Sequence, residues 1–441
     1  MSTSPASPPT SVRWRVFSLA FLTSALLYLH RYLFAFIKPF LQDEWGLTNT
    51  ELGQLDSAFS VCYTAFQFPL AIAADVLGVH LVLTGLMLVW CSGLALVAWS
   101  PSARWLWAGL ALLGTGQSAV YACLSRVAKL WYPPAVRTTL IGSVGVLAGR
   151  LGALSSSLVF STLLVGTWGL AWRDAVWCLV AAGMVHALLF VVNFRNSPRQ
   201  HPRVNDAEAR LIEGIADRLS PADGGEGTKQ SFGVMLRSMS PRSLRNLLFL
   251  SVQTLLSTFA DNIYSNWIPL FLAQVHHLEF KRMGIYAALP LLGGAIAGLI
   301  GGALNDYLIA VTGNRRWSRV AVALTGKGLA AAFLFAALAF YDAPYIFCGF
   351  LFLVKFFGDW SLSTSLGVVT DIGGRATASV FAFNNSVAGL ALIAAPLVFG
   401  TIADSYGWPW VFATVGMTYM LCALSWLVID CTIPVMRDSQ R

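Results

Sequence analysis

Charge is what this chain has little of. Asp, Glu, Lys and Arg make up 11% of its 441 residues, where a soluble domain carries about 25%. A water-exposed surface of ordinary size is therefore excluded. Cysteine is also thin: Cys62, Cys91, Cys123, Cys178, Cys348, Cys422 and Cys431 fall singly in apolar runs, with no CxxC pair. That leaves no disulfide framework and no zinc cluster, and the thiols read as small apolar side chains. The six histidines are dispersed, and His276-His277 has no third ligand near it. Nucleophile elbows, HExxH pairs and phosphate-binding loops are missing as well. These gaps argue against an enzyme, a metal centre and a bound cofactor. No large basic soluble face is present for a nucleic acid.

Apolar sequence is what fills the chain, at 56% of residues. It comes in twelve runs, at 14–40, 50–74, 80–100, 104–130, 137–164, 174–194, 245–274, 282–308, 318–341, 344–368, 376–402 and 408–430. A helix of about 20 apolar residues crosses the hydrocarbon layer, so each run is long enough to span. The 16 Trp and 28 Phe suit a lipid-facing surface with interfacial anchors. The first run is too long for the core of a cleaved signal peptide. Of the 29 Lys and Arg, six are placed within the membrane (Arg31, Lys38, Arg126, Arg150, Lys327 and Lys355) and four at one of its faces (Arg104, Arg173, Lys281, Arg282). The other nineteen fall on the opposite side with both termini and the central loop. The positive-inside rule then makes both termini cytoplasmic, in an inner or plasma membrane.

The runs group as six, a loop, and six. The expected division is a tail at 1–12, a bundle at 13–194, a loop at 195–244, a bundle at 245–430 and a tail at 431–441. In the loop, Asn205 followed by Glu208 resembles a helix start with a capping box. Residues 210–219 continue it as a short amphipathic helix, and 221–227 read as linker. The two halves repeat a signature. The first copy carries Ala71, Asp75 and Gly78; the second carries Gly302, Asp306 and Gly313 with Arg315, Arg316 and Arg319 behind it. A second match follows in order: Gly169 to Trp177 before the sixth run, and Gly407 to Phe412 before the twelfth. Duplicated helix sets are how two-fold carriers look in sequence.

With these features the chain, over 13–430, resembles the major facilitator superfamily. Its loop motif is eroded in the first copy, which keeps Asp75 and Gly78, and fuller in the second. The resemblance implies an all-α integral membrane fold, with twelve helices in two pseudo-symmetric six-helix bundles. It also implies that Asp75, Gly78, Gly302, Asp306, Arg315 and Arg316 act in gating. Within the superfamily, Tyr28 to Arg31 leading to Pro39–Leu47, the stretch Arg195–Arg210 and Trp267–Leu272 resemble the anion:cation symporters of sugar acids and other carboxylates. The organophosphate:phosphate antiporters share the arginine of the first helix and a glutamine at the position of Gln117. The departures lie at His30 and Gln117, where the symporters carry acids, and at Asp261, near a second arginine of the antiporters.

Physical chemistry ranks the buried polar residues separately. An ionisable group in hydrocarbon costs several kcal/mol unless it meets a cavity or a partner. Arg31 leads as an anion ligand, because a guanidinium binds carboxylate or phosphate through two donors; the bland alternative is a structural ion pair. His30, about 100° round the helix, is either a proton carrier near neutral pH or a packing residue. Arg150, flanked by Gly149 and Gly152, is a second cation or the partner of an acid such as Asp56. Asp261 is a proton site or a counter-ion for an arginine. Lys355 and Asp359, four apart, are an internal pair or part of coupling. Gln117, Tyr121, Asn262, Asn384 and Asn385 are hydrogen-bonding candidates for the solute. Lys38 and Lys327 read as snorkelling residues.

Together these features make a secondary carrier of a small organic anion the leading expectation. The solute sits near the midplane and is exposed alternately to each side, with a proton as co-substrate. The chain has no ATP-binding loop of its own, so uphill movement draws on an ion or exchange gradient. The alternatives are organic-anion or phosphate-ester exchange without a proton, and a non-transporting sensor on the same scaffold. The expected surroundings are the lipid bilayer, with the monomer as the working unit.

Overall fold

The computed structural model describes residues 8–213 and 239–435. The expected linker at 221–227, the second half of the helix at 210–219 and the outer parts of both tails lie outside the described residues. Among the described residues every regular element is helical. The helices are α1 Val12–Trp45, α2 Asn49–Leu77, α3 Val79–Trp99, α4 Ala103–Gln117, α5 Val120–Trp131, α6 Pro134–Gly142, α7 Ala148–Ser155, α8 Trp172–Asn193 and α9 Asp206–Glu213. The second half continues with α10 Pro241–Asn266, α11 Ile268–His276, α12 Phe280–Thr312, α13 Arg315–Leu338, α14 Pro344–Gly358, α15 Trp360–Gly373, α16 Thr377–Tyr406 and α17 Trp408–Ser425.

Each of the twelve apolar runs falls on one helix or on consecutive helical pieces. Nine spans among the described residues are long and apolar enough to cross a membrane by themselves. The other three runs are the one split into α4 and α5, the polar-studded α10 with α11, and α17. At 34 residues α1 is about 51 Å long, more than the hydrocarbon layer needs. It continues through Pro39, which extends the first run beyond its expected end. The fifth run is wider-wound at Ser143–Leu147 and Ser156–Val165, where the helix is π-type. Turns are set by glycines whose φ only glycine adopts easily. Gly78 stands at φ 85° before α3 and Gly313 at φ 63° after α12, each in the turn that follows the motif aspartate of its repeat.

The described residues form two compact units. One holds 8–31, 58–156 and 170–213; the other holds 32–57, 157–169 and 239–435. Inside the first unit, α7 packs on α1 without room for side chains. A Cβ on Gly152 would strike the Ala25 carbonyl, and one on Gly149 would lie 2.8 Å from the Tyr28 ring. Gly114 abuts the backbone of Phe59 in the same way, bringing α4 onto α2. In the second unit, Gly53 meets the Pro396 carbonyl and Gly400 meets Asn49, so the start of α2 lies hard against α16. Close approach through small residues is the usual means of helix association in lipid.

The central loop is tied to the start of α1. Asn205 caps α9, accepting from the Glu208 amide at 2.9 Å. Glu208 does not return to Asn205 as a capping box would. Its carboxylate, fully buried, accepts from the amides of Val12 (3.1 Å) and Arg13 (3.0 Å), from the Thr10 hydroxyl (2.5 Å) and from the Arg13 guanidinium (3.1 Å). An acid at a helix N-terminus satisfies donors that the helix leaves open. Glu208→Ala strands those donors and is expected to destabilise the protein by about 1–3 kcal/mol. A thermal unfolding midpoint in detergent equal to wild type would contradict that.

Candidate functional site

Arg31 lies beyond the middle of α1 and belongs to the first unit. Its Nε donates to the Gln117 side-chain carbonyl at 3.0 Å. Gln117 is fixed in turn by donating its amide to the Leu27 carbonyl at 3.2 Å. The guanidinium carbon stands 4.6 Å from the centre of the Tyr63 ring, 5.2 Å from Tyr28 and 5.4 Å from Phe59. Rings at these distances attract a cation. Arg31 has no ion pair among the described residues, and its buried Nη2 has no hydrogen-bond partner there. A guanidinium boxed by three aromatic rings and one neutral amide keeps its charge unneutralised. It has donors to spare for a carboxylate or phosphate.

The surrounding candidates divide. Tyr121 is one helical turn from Gln117 and holds Ser24 at 2.8 Å and the Gly145 carbonyl at 3.3 Å. Arg150 is half-buried in α7, and its flanking glycines are occupied by helix packing. Gly149 makes room for Tyr28, one wall of the Arg31 box. His30 points away from that box. It is fully buried, its ring 6.3 Å from Trp90, and a Cβ on Gly183 would come within 3.0 Å of it. The aromatic walls were absent from the residues singled out in sequence. Tyr28 at three residues before Arg31, and Phe59 with Tyr63 at four apart, were the available signals.

The second unit gathers its own charges. Lys355 binds Asp261 at 2.8 Å and Asp359 at 2.6 Å. Tyr419 donates to Asp261 at 2.7 Å. Lys327 from α13 donates to the Ser257 hydroxyl at 2.8 Å and faces the Tyr419 ring at 5.0 Å. It is 1% exposed and does not snorkel. A cavity of about 140 Å³ opens beside Ser257, Asp261, Lys327 and Asp359. Asn262 accepts from Asn266 at 3.2 Å, Asn384 accepts from Ser251 at 2.9 Å, and Asn385 is exposed.

Lys38 is not a snorkelling residue either. It is fully buried, 2.5 Å from Asp56, 2.7 Å from the Asn266 carbonyl and 3.8 Å from the centre of the Trp267 ring. The pair therefore seats α1 and α2 on the break that separates α10 from α11. Nearby, Asp404 of α16 accepts from the amides of Asn49 (3.1 Å) and Thr50 (2.7 Å), capping α2.

The repeated loop motif takes different partners in its two copies. Asp75 is ion-paired with Arg126 of α5. Gly78 presses on the Asn196 side chain, which accepts from the His80 amide at 2.9 Å. In the second copy Asp306 accepts from Asn305 at 3.2 Å, and a Cβ on Gly302 would lie 3.4 Å from Ser363. The arginines behind it go elsewhere: Arg315 (3.5 Å) and Arg319 (2.7 Å) to Asp371, and Arg316 to Asp430 at 3.1 Å.

Long apolar helices with buried charges inside them define a multi-pass integral membrane carrier. The Major Facilitator Superfamily pattern matches residues 20–324 and 250–437, and the chain belongs to that superfamily. It is 26% identical over 383 residues to a probable sulfoacetate transporter of Cupriavidus necator, covering 87% of this chain and 85% of that one. To a probable galactarate/D-glucarate transporter of Bacillus subtilis it is 23% identical, over 97% of this chain and 94% of the other. A hexuronate transporter of Escherichia coli is 24% identical over 95% and 94%. In fold it is similar to the crystal structure of a bacterial homologue of the human lysosomal transporter Spinster, inward-facing and unoccupied. The TM-score is 0.71, at 16% identity over 95% of both chains. These are transporters, and the chain is one rather than an enzyme.

The buried Lys38–Asp56 pair gives a stability test. Removing one partner from a buried pair strands the other charge at a cost of about 3–5 kcal/mol, whereas replacing both with apolar residues is often neutral. Lys38→Met and Asp56→Leu are each expected to lower the unfolding midpoint, and the double variant to recover most of the loss. Additive losses in the double variant would contradict the pairing.

Proposed function

We propose that this chain carries a small organic anion, a sugar acid or other carboxylate, across the inner or plasma membrane by alternating access with a proton as co-substrate. The observation that carries the reading is Arg31: a charged group in a membrane helix, boxed by Tyr28, Phe59 and Tyr63, bonded to the neutral Gln117, and with a buried donor open. A buried cation without a counter-ion is costly, and an anionic solute supplies what is missing. The names of the relatives, transporters of sulfoacetate, galactarate or glucarate, and hexuronate, support an organic acid as cargo.

Asp261 and Asp359 support the proton. Both carboxylates contact the Lys355 ammonium, and a proton taken up by one of them loosens its hold on that ammonium. His30, packed on Trp90 away from the Arg31 box, is the weaker carrier. Arg150 and Tyr121 serve as further ligands of the anion on this reading, and Asp75, Gly78, Gly302, Asp306, Arg315 and Arg316 form the proposed gating set. Both termini lie in the cytoplasm on this reading, and the monomer suffices. Exchange without a proton is the second reading, favoured by the neutral Gln117 where an acid would serve a symporter.

Arg31→Ala is expected to abolish uptake of the anion while the protein stays folded in the membrane. Arg31→Lys keeps the charge but loses the planar fork, and should retain a small fraction of the rate. Uptake by Arg31→Ala at the wild-type rate would refute the assignment. In liposomes, an inward proton gradient is expected to drive accumulation by wild type, and Asp261→Asn to lose that drive. An absolute need for anion on the far side would instead establish exchange.

A further inference from the structure

We infer that Gln117 is a positioning residue for Arg31 rather than a ligand of the solute, and that its neutrality makes anion binding in the first unit independent of pH. On the carrier reading above, on which this rests, the proton then acts on movement of the loaded carrier and not on capture of the anion. Gln117 is the last residue of α4 and is fully buried. Glycines just before it fix its place: a Cβ on Gly114 would strike the Phe59 carbonyl, and one on Gly116 the Trp90 backbone. Both ends of its amide are engaged inside the unit. The side-chain oxygen accepts from Arg31 Nε at 3.0 Å, and the nitrogen donates to the Leu27 carbonyl at 3.2 Å. These two partners also settle which way the amide points, since Nε–H only donates and a backbone carbonyl only accepts. A guanidinium is a rigid planar fork, so holding one donor orients the others. The buried Nη2, which has no hydrogen-bond partner among the described residues, is left for a ligand.

The same contact leaves the charge of Arg31 intact. A carboxylate in the place of the amide would pair with the guanidinium, and would have to be displaced or protonated before an anion could bind. An amide has no proton to gain or lose. The titratable neighbours of the guanidinium are phenols, Tyr28 from α1, Tyr63 from α2 and Tyr121 from α5. α7, which packs on Tyr28 at Gly149, adds Arg150. Phenols and guanidinium groups keep their protonation state from about pH 5 to about pH 8. His30 of α1 faces Trp90 instead of the box, and Asp56 of α2 is held by Lys38, about two turns further along α1. Nothing that changes charge near neutral pH therefore faces Arg31 among the described residues.

Calorimetry on the purified full chain tests this, with D-galacturonate, D-glucarate and sulfoacetate as probes. The Kd of each is measured from about pH 5.5 to about pH 8, where such acids stay ionised. Wild type is expected to hold its Kd within about threefold across that range, because no proton is taken up or released on binding. Gln117→Glu keeps the shape and adds a charge. Its affinity should fall by about tenfold or more at the upper end of the range and recover as the pH is lowered, because the introduced carboxylate frees Arg31 when it takes a proton. Gln117→Leu releases Nε without adding a charge, and should weaken binding by about tenfold to the same degree at every pH. A wild-type Kd that changes by more than about threefold, or a flat profile in Gln117→Glu, would overturn the inference while leaving the anion carrier standing. The wild-type profile decides the matter even where a variant does not fold. Binding of none of the three acids by wild type at any pH, or wild-type affinity in Arg31→Ala, would overturn the carrier reading and this inference with it.

Discussion

Charge compensation in a medium without water is the constraint on which the rest of this structure depends. A charged side chain in hydrocarbon must find a counter-charge, a ring face or a ligand. The chain resolves this differently at each buried cation. Lys38 takes a carboxylate, a backbone carbonyl and a tryptophan face, and is wholly satisfied. Lys355 takes two carboxylates. Arg31 takes three aromatic rings and a neutral amide, and Lys327 one hydroxyl and one ring. The gradation separates Lys38 and Lys355, which contact carboxylates, from Arg31 and Lys327, which contact neutral groups and ring faces.

Packing determines where those cations are. In lipid the hydrophobic effect does not press helices together, so contact depends on close approach of backbones. Gly149 and Gly152 set α7 against α1 and fit the Tyr28 ring beside Arg31. Gly114 brings α4 onto α2 at Phe59, so that Gln117 and the rings of Phe59 and Tyr63 converge on one guanidinium. Gly53 and Gly400 do the same for the start of α2 and α16, where Asp404 caps the helix and Lys38 reaches Asp56. Glycine is a poor helix former, and its frequency in these helices reflects contact rather than local preference.

The repeated loop motif shows how similar sequences diverge in use. Both copies keep an aspartate and a glycine at positive φ. Asp75 holds an arginine of its own unit, Arg126. In the second copy the arginines bypass Asp306 and settle on Asp371 and Asp430. A positive-φ glycine in the turn is thus common to both copies, while its conformation (ψ 152° at Gly78, 0° at Gly313) and the ionic connections are not.

The amino-acid sequence by itself determined the membrane class, the positions of the twelve runs and the repeat, because hydropathy and length are properties of local segments and lipid leaves helices as the only solution for them. It also singled out Arg31, Asp261, Lys355 and Asp359, since a charge within an apolar run is conspicuous in one dimension. The partners of those charges come from other helices and were decided only by tertiary structure. Lys38 and Lys327 read as snorkelling residues because a lysine stem is long enough to carry its ammonium toward an interface. Only packing shows that one is locked to Asp56 and the other sits against a cavity. The same holds for Glu208, whose spacing from Asn205 matches a capping box but whose carboxylate caps the first turn of α1. Rotation of each helix about its axis, and the glycines that set the distance to its neighbour, decide which of these groups meet.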